Sequence, residues 1–148
     1  MAEPADIGTI LSRGTATVER GRLKFFSKAI GEHDPIYSDE SAALAAGYRG
    51  IPVPPTFLFC LNSEVASASN TLAVLKLDLA RILHAEQAFT YQKMVYAGDV
   101  LQFETKVADV YDKKDGLLHF VVMETAVSDA DGAAVAQLRS TLVERRNG

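Results

Sequence analysis

Apolar residues follow two different spacings along the chain, and the change between them divides it into halves. In the first half, apolar residues between positions 23 and 30 recur every three or four residues, which predicts an amphipathic helix that ends at Gly31. In the second half, residues 101–107 alternate between core-type and polar side chains, which predicts a half-buried strand. Helices that precede strands, rather than alternating with them, predict an α+β fold.

The first half contains signals for three more elements. Residues 15–19 predict a short extended segment, and residues 38–46 predict a short helix with Ser38 as its N-cap. A further helix is predicted to begin near Pro55 and to continue over residues 56–66. Because this segment is apolar around most of its circumference, we expect a central helix enclosed by other elements.

The second half predicts a sheet of long strands joined as antiparallel hairpins. Gly- and Asp-containing turns separate the strands at residues 97–99, 112–116 and 129–132. The helical half and this sheet are separated by a predicted loop over residues 62–77. One face of the sheet is expected to pack against the central helix. Besides residues 101–107, the predicted strands cover residues 82–93, 117–127 and 134–143.

Composition limits the size of the fold and the class of partner. The 148 residues, of which 48% are apolar, suffice for one core, so residues 1–148 are expected to form one domain. A net charge of -4 argues against a nucleic-acid partner. No apolar run approaches the roughly 18 residues of a membrane span, and residues 1–9 lack a secretory pattern, so a cytoplasmic protein without membrane contact is expected.

Cysteine and histidine usage gives no sign of a metal or cofactor site. The single cysteine, Cys60, cannot form an internal disulfide and is expected to be buried in the core. The three histidines show no metal-ligand spacing, so neither a metal nor a cofactor is predicted. His33 is interpreted as an exposed loop residue, and His84 and His119 as strand residues with no evident partner.

A family resemblance begins at residues 31–37, Gly-Glu-His-Asp-Pro-Ile-Tyr. This segment resembles the Gly-Asp-x-Asn-Pro-x-His segment of MaoC-like dehydratases and (R)-specific enoyl-CoA hydratases. Residues 37–40 with 45–48, 50–57 and 97–101 resemble further parts of the N-terminal dehydratase-type branch of that family. The resemblance implies the hot-dog fold, a curved antiparallel sheet around a central helix, and a dimer whose sheets join.

The resemblance also implies a reaction, the reversible addition of water to a trans-2-enoyl thioester carried by coenzyme A or acyl carrier protein. Water must be deprotonated, carbon two protonated and the carbonyl oxygen held by hydrogen-bond donors. The family uses an Asp, a His and backbone amides at the start of the central helix. The corresponding substrate-binding candidates here are Gly31, Pro55, Thr56 and Phe57, with the amides of Thr56 and Phe57 as donors.

The acid–base positions depart from the family pattern. Glu32 replaces the Asp, Tyr37 replaces the His, and Asp34 occupies the Asn position, which makes these three the catalytic candidates. Glu32 keeps a carboxylate, but Tyr37, with an ordinary pKa of about 10, is a poor base near neutral pH. Each has a simpler interpretation: Glu32 as a solvated acid, Asp34 as a turn cap and Tyr37 as a packing residue.

Two functions therefore remain open at this point. The first is a homodimeric enoyl-thioester hydratase or dehydratase, favoured by the carboxylate of Glu32 and the intact helix start at Pro55. The second is an acyl-thioester-binding subunit without its own chemistry, paired with a MaoC-like catalytic chain and favoured by Tyr37. A hot-dog thioesterase is a more distant third. The candidates for contacts with the carrier's phosphates are Lys93, Lys106 and Arg139.

Overall fold

The computed structural model describes residues 5–147, and within this range it contains five strands and four α-helices. None of these helices is long and apolar enough to cross a membrane. A short 3-10 turn, Pro35–Tyr37, lies between the first two helices, and a second, Leu79–Arg81, precedes the second strand. In chain order the elements are β1 (Ile10–Thr17), α1 (Arg20–Ala29), α2 (Glu40–Ala45), α3 (Phe57–Val65), α4 (Ala68–Leu75), β2 (Ile82–Tyr91), β3 (Val100–Lys113), β4 (Leu118–Asp129) and β5 (Ala134–Arg145).

The strands form one antiparallel sheet in the order β1-β3-β4-β5-β2. The hairpins β3–β4 and β4–β5 confirm the prediction. The predicted hairpin between β2 and β3 is wrong, because β2 pairs with β5 at the opposite edge of the sheet. The turn at residues 97–99 instead holds the end of β1: Gly98 donates its N–H to the Val18 carbonyl, and Val18 donates to the Asp99 carbonyl, both at 2.8 Å.

Two predicted boundaries differ from the structure. The first strand starts at Ile10, five residues before the predicted segment 15–19. The helix predicted over residues 38–46 is capped by Asp39, whose carboxylate accepts the Ser41 N–H at 2.9 Å. Ser38 is not the cap, because its N–H closes the preceding 3-10 turn on the Pro35 carbonyl.

The segment predicted as a loop over residues 62–77 is largely helical, which is a correction to the sequence analysis. It holds the end of α3 and all of α4, whose start is capped by Ser67 through a hydrogen bond from the Asn70 N–H. Lys76, in the left-handed conformation, ends the helix. Leu75 and Leu77 are buried, so this segment covers part of the inner face of the sheet.

Helix α3 lies on the inner face of the sheet and contributes Phe57, Leu58 and Leu61 to the main apolar cluster. This confirms the central helix. The helix is not fully enclosed, however, because Phe59 keeps 39% of its surface exposed and Cys60 is only partly buried. Cys60, expected to be buried in the core, packs against the main cluster but is only partly buried. The side of α3 that carries these two residues is not completely covered by the described part of this chain.

Gly14 allows β1 to pass close to α3. A Cβ atom at this position would lie 2.7 Å from Cγ1 of Val65. Val65 is β-branched and has little rotamer freedom with which to move away. We therefore expect Gly14→Ala to lower the free energy of unfolding by roughly 1–3 kcal/mol, as overpacking does. Urea denaturation of the two proteins measures this difference.

Two variants separate close approach from a general effect of glycine replacement. Gly21→Ala, in α1, meets no atom within 4 Å, and alanine there should be neutral or stabilising. In a Val65→Ala background the penalty of Gly14→Ala should shrink, since the clashing methyl group is gone. An equal penalty in both backgrounds would show that the contact with Val65 is not the cause.

Candidate functional site

The chain reverses direction immediately after α1. Gly31 adopts a positive φ of +74°, a conformation that suits glycine at a helix end. The N–H of Glu32 then donates to the Ser27 carbonyl at 2.9 Å. This local structure fixes the start of residues 32–37, the segment that carries the three catalytic candidates.

The carboxylates of Glu32 and Asp34 are both engaged within this segment. Oε1 of Glu32 accepts the Asp34 N–H at 3.0 Å, and Oδ1 of Asp34 accepts the Ile36 N–H at 3.1 Å. Asp34 thus caps the 3-10 turn that follows, in agreement with its simpler interpretation. Both residues are exposed in this chain, which leaves each carboxylate one oxygen directed to other partners or solvent.

Tyr37 is half-buried beside these two acids. Burial raises the pKa of its hydroxyl above the ordinary value, and the neighbouring Glu32, Tyr48 and Asp34 raise that pKa further. The hydroxyl is therefore neutral near pH 7 and acts as a hydrogen-bond donor rather than a base. Tyr48 is a member of this group that the sequence analysis did not single out, since no spacing rule relates it to Tyr37.

The start of α3 offers backbone amides, but not all the predicted ones. The Phe57 N–H donates to the Pro54 carbonyl at 3.0 Å, so it is occupied and differs from the expected free donor. The amides of Thr56 and Leu58 form no hydrogen bond within residues 5–147. Phe57 itself is a packing residue whose ring lies 5.1 Å from that of Phe26.

A cavity of about 380 Å³ lies at this end of α3. Its volume falls within the usual range of small-molecule pockets. Among the described residues, two of the predicted candidates line it, Pro55 and the phosphate-contact candidate Lys93, whereas Glu32, Asp34 and Tyr37 do not. The lining is mostly apolar and consists of Val53, Pro55, Leu58, Tyr91, Gln92, Lys93, Met94 and Val95.

Residues 91–95, the last residue of β2 and the segment after it, form one side of the cavity. Apart from Lys93, the sequence did not indicate them. Their contribution depends on the pairing of β2 with β5, which the sequence pattern did not reveal. Lys93 is ion-paired with Asp129, and Arg139 with Glu124, so two of the three predicted phosphate contacts already have acidic partners.

Burial raises the pKa of Tyr91, a cavity residue, to about 12. Alkaline absorbance titration of the five tyrosines should therefore show a late ionisation step near pH 12. Burial disfavours the charged tyrosinate, which is why the step moves to higher and not lower pH. Tyr91→Phe should remove this late step. A step of unchanged amplitude in the variant would assign it to another tyrosine.

His119 has partners that the sequence did not reveal. It is buried on β4, its Nδ1 atom is hydrogen-bonded to Asp112 on β3, and Glu144 lies opposite it on β5. These three residues lie at the opposite end of the strands from residues 97–101 and 129–132. His33 and His84 are exposed. Within residues 5–147, no three His, Cys, Asp or Glu residues are grouped so as to hold a metal ion.

Comparison with known proteins identifies the family. Residues 5–138 match the family described as "FAS1-like, dehydratase domain region". The chain belongs to this FAS1-like dehydratase family. A UPF0336 protein from Saccharopolyspora erythraea is 31% identical to this FAS1-like dehydratase chain over 128 residues, which are 86% of this chain and 81% of that protein.

Two solved structures share the fold of this FAS1-like dehydratase chain. One is the HadBC (3R-hydroxyacyl-ACP dehydratase) complex from Mycobacterium tuberculosis, with a TM-score of 0.79, 26% identity and coverage of 95% of this chain and 99% of that one. The other is a MaoC-like dehydratase from Rhodospirillum rubrum, with a TM-score of 0.72, 19% identity and coverage of 97% and 94%. These findings confirm the MaoC-like resemblance and the α+β hot-dog fold.

Proposed function

We propose that this chain is an acyl-thioester-binding subunit of a MaoC-like hydratase or dehydratase and that an unlike chain supplies the acid–base pair. The observation that carries the proposal is the state of residues 32–37. Glu32 and Asp34 each accept a backbone amide of their own segment, and a neutral Tyr37 stands at the family's His position. The exposed His33 lies at the variable position of the family pattern and not at a catalytic one.

The cavity at the start of α3 supports the binding half of the proposal. Its lining is mostly apolar, which suits an acyl chain. The unoccupied amides of Thr56 and Leu58 are suited to hold a thioester carbonyl oxygen, because a helix N-terminus carries partial positive charge. The substrate is therefore an acyl thioester of coenzyme A or of acyl carrier protein.

The free edge of β2 and the residues around it support the other half of the proposal, which is assembly with a partner chain. β2 pairs with β5 along one side, and Leu83, Tyr91 and Met94 on and after this strand are among the exposed large apolar residues. An exposed strand edge with apolar neighbours favours pairing with another chain. The 26%-identical structural relative belongs to a HadBC complex, which favours an unlike partner over a second copy.

A self-sufficient homodimeric hydratase is the second candidate. It is favoured by the exposed carboxylate of Glu32, whose Oε2 atom accepts no hydrogen bond within residues 5–147. In that mechanism Glu32 would deprotonate water, and the Tyr37 hydroxyl would donate a proton or a hydrogen bond. The two candidate functions differ in the partner with which the chain assembles in its own cell: an unlike chain in the first and a second copy in the second.

Purification of the full-length chain, tagged and expressed in its native cell, tests the proposal. We expect a stable complex with one unlike chain that carries the Asp and His of the MaoC-like segment. We also expect hydration of trans-2-butenoyl-CoA by this complex. A homodimer that hydrates the same substrate, with activity abolished by Glu32→Gln, would overturn the proposal in favour of the second candidate.

A further inference from the structure

We infer that a row of polar side chains across the inner face of the sheet stops the acyl chain and restricts this protein to short and medium acyl groups. The inference rests on the proposed acyl-thioester binding and adds the specificity of that site. The row consists of Asn62, Gln87, Thr105, Thr125 and Ser140.

The first half of the row joins α3 to β3 and β4. The hydroxyl oxygens of Thr105 and Thr125 are 2.7 Å apart, and both threonines are buried. Asn62 reaches them from α3: its Nδ2 atom donates to the Thr125 hydroxyl at 3.3 Å, and its Oδ1 atom accepts from the Thr105 hydroxyl at 3.5 Å. These three polar groups therefore satisfy one another inside an otherwise apolar layer.

The second half of the row extends to the free edge of the sheet. Gln87 on β2 and Ser140 on β5 are register partners, and the Ser140 hydroxyl donates to Oε1 of Gln87. Ser140 lies on the inner face, because Leu138 and Leu142, two residues before and after it, both belong to the core. On β4 and β5, Thr125 lies opposite Leu138 and Ser140 lies opposite Met123, so the Gln87–Ser140 pair is one diagonal step along the sheet from the threonines. The polar groups thus run diagonally from β3 to the edge strand.

This row divides the core into two apolar clusters. Along β3, Phe103 belongs to the cluster that contains the start of α3, while Val107 belongs to the other, with Thr105 between them. Along β5, Leu138 and Leu142 are divided by Ser140 in the same way. An acyl chain that enters beside the start of α3 meets the first cluster and then the polar row.

The start of α3 lies only a short distance from the row. From Thr56 to Asn62 the helix rises roughly 9 Å, and from Tyr91 to Gln87 the strand spans roughly 13 Å. An extended octanoyl chain is about this long. A longer chain has to separate the hydrogen-bonded pair of Gln87 and Ser140 and leave polar groups unpaired, which opposes the gain from burying further methylenes.

Calorimetric titration of the full-length protein, purified with any chain that accompanies it, tests the inference with butyryl-, octanoyl-, dodecanoyl- and hexadecanoyl-CoA. We expect the affinity to rise up to octanoyl-CoA and to fall for longer chains. The double variant Gln87→Leu, Ser140→Ala removes both polar partners together. It should bind dodecanoyl-CoA at least roughly tenfold more tightly than the wild type, since each further buried methylene is favourable.

Gln137→Leu is the matched control, because Gln137 is exposed and bonded to Glu124 on the opposite face of the sheet. It should leave the chain-length profile unchanged. If the double variant does not fold, the single variant Gln87→Ala replaces it, because it removes the polar side chain of the row that lies on the edge strand β2. If the wild type and the folded variants bind all four acyl-CoAs with the same dependence of affinity on chain length, the inference is overturned but the proposed function is not. Failure of every acyl-CoA to bind the wild type would overturn the proposed function as well.

Discussion

Replacement of Leu61 by alanine is expected to lower the free energy of unfolding by about 4 kcal/mol, near the upper end of the cost of core Leu→Ala substitutions. Leu61 is completely buried at the centre of α3 and belongs to the main apolar cluster. The surrounding residues come from both the helices and the sheet, so the cavity left by the substitution cannot close easily. Urea denaturation followed by circular dichroism measures the loss.

Leu79→Ala provides the matched control for this prediction. Leu79 is 70% exposed, so its truncation should change the free energy of unfolding by less than about 0.5 kcal/mol. A similar small effect for Leu61→Ala would contradict the description of α3 as the helix on which the core is built.

The second large effect is expected from filling the cavity. Val53 lines the cavity and is half-buried, so Val53→Trp should place an indole ring in the space assigned to the acyl chain. Exclusion of about four methylenes, at about 0.8 kcal/mol each, corresponds to a loss of roughly two hundredfold in affinity for octanoyl-CoA. Calorimetric titration measures this change, and the thermal transition checks that the variant is folded.

Val74→Trp controls for the introduction of a tryptophan. Val74 lies on α4, is 40% exposed and does not line the cavity. The affinity for octanoyl-CoA should remain within about twofold of the wild-type value, since surface substitutions away from a site have small effects. If folded Val53→Trp binds as tightly as the wild type, the acyl chain does not occupy this cavity.

The fold was largely predictable because its strands and its central helix have regular apolar spacing. The alternation over residues 101–107 matches the burial of β3, and the apolar segment at residues 57–61 matches the buried part of α3. The position of β2 was not predictable from local pattern, since antiparallel pairing with β5 or with β3 demands the same alternation. Helix α4 was missed because small polar residues surround its start.

The candidate residues could be proposed from the sequence, but their hydrogen bonds and burial could not. The family segment located Glu32, Asp34 and Tyr37, yet only the structure shows that the two acids hold backbone amides. It also shows that burial and neighbouring acids keep Tyr37 neutral. The cavity residues after β2 carried no motif, because apolar lining residues resemble any other half-buried segment in sequence.

We expect this chain to bind acyl thioesters without supplying its own acid–base pair. Steady-state hydration of trans-2-butenoyl-CoA by the purified full-length chain, alone and together with its co-purified partner, tests it most directly. We expect no turnover by the chain alone above the rate of a buffer control, and turnover by the complex. Glu32→Gln should change the rate of the complex by less than about tenfold, which is below the usual contribution of a general base. Turnover by the chain alone that Glu32→Gln abolishes would contradict it.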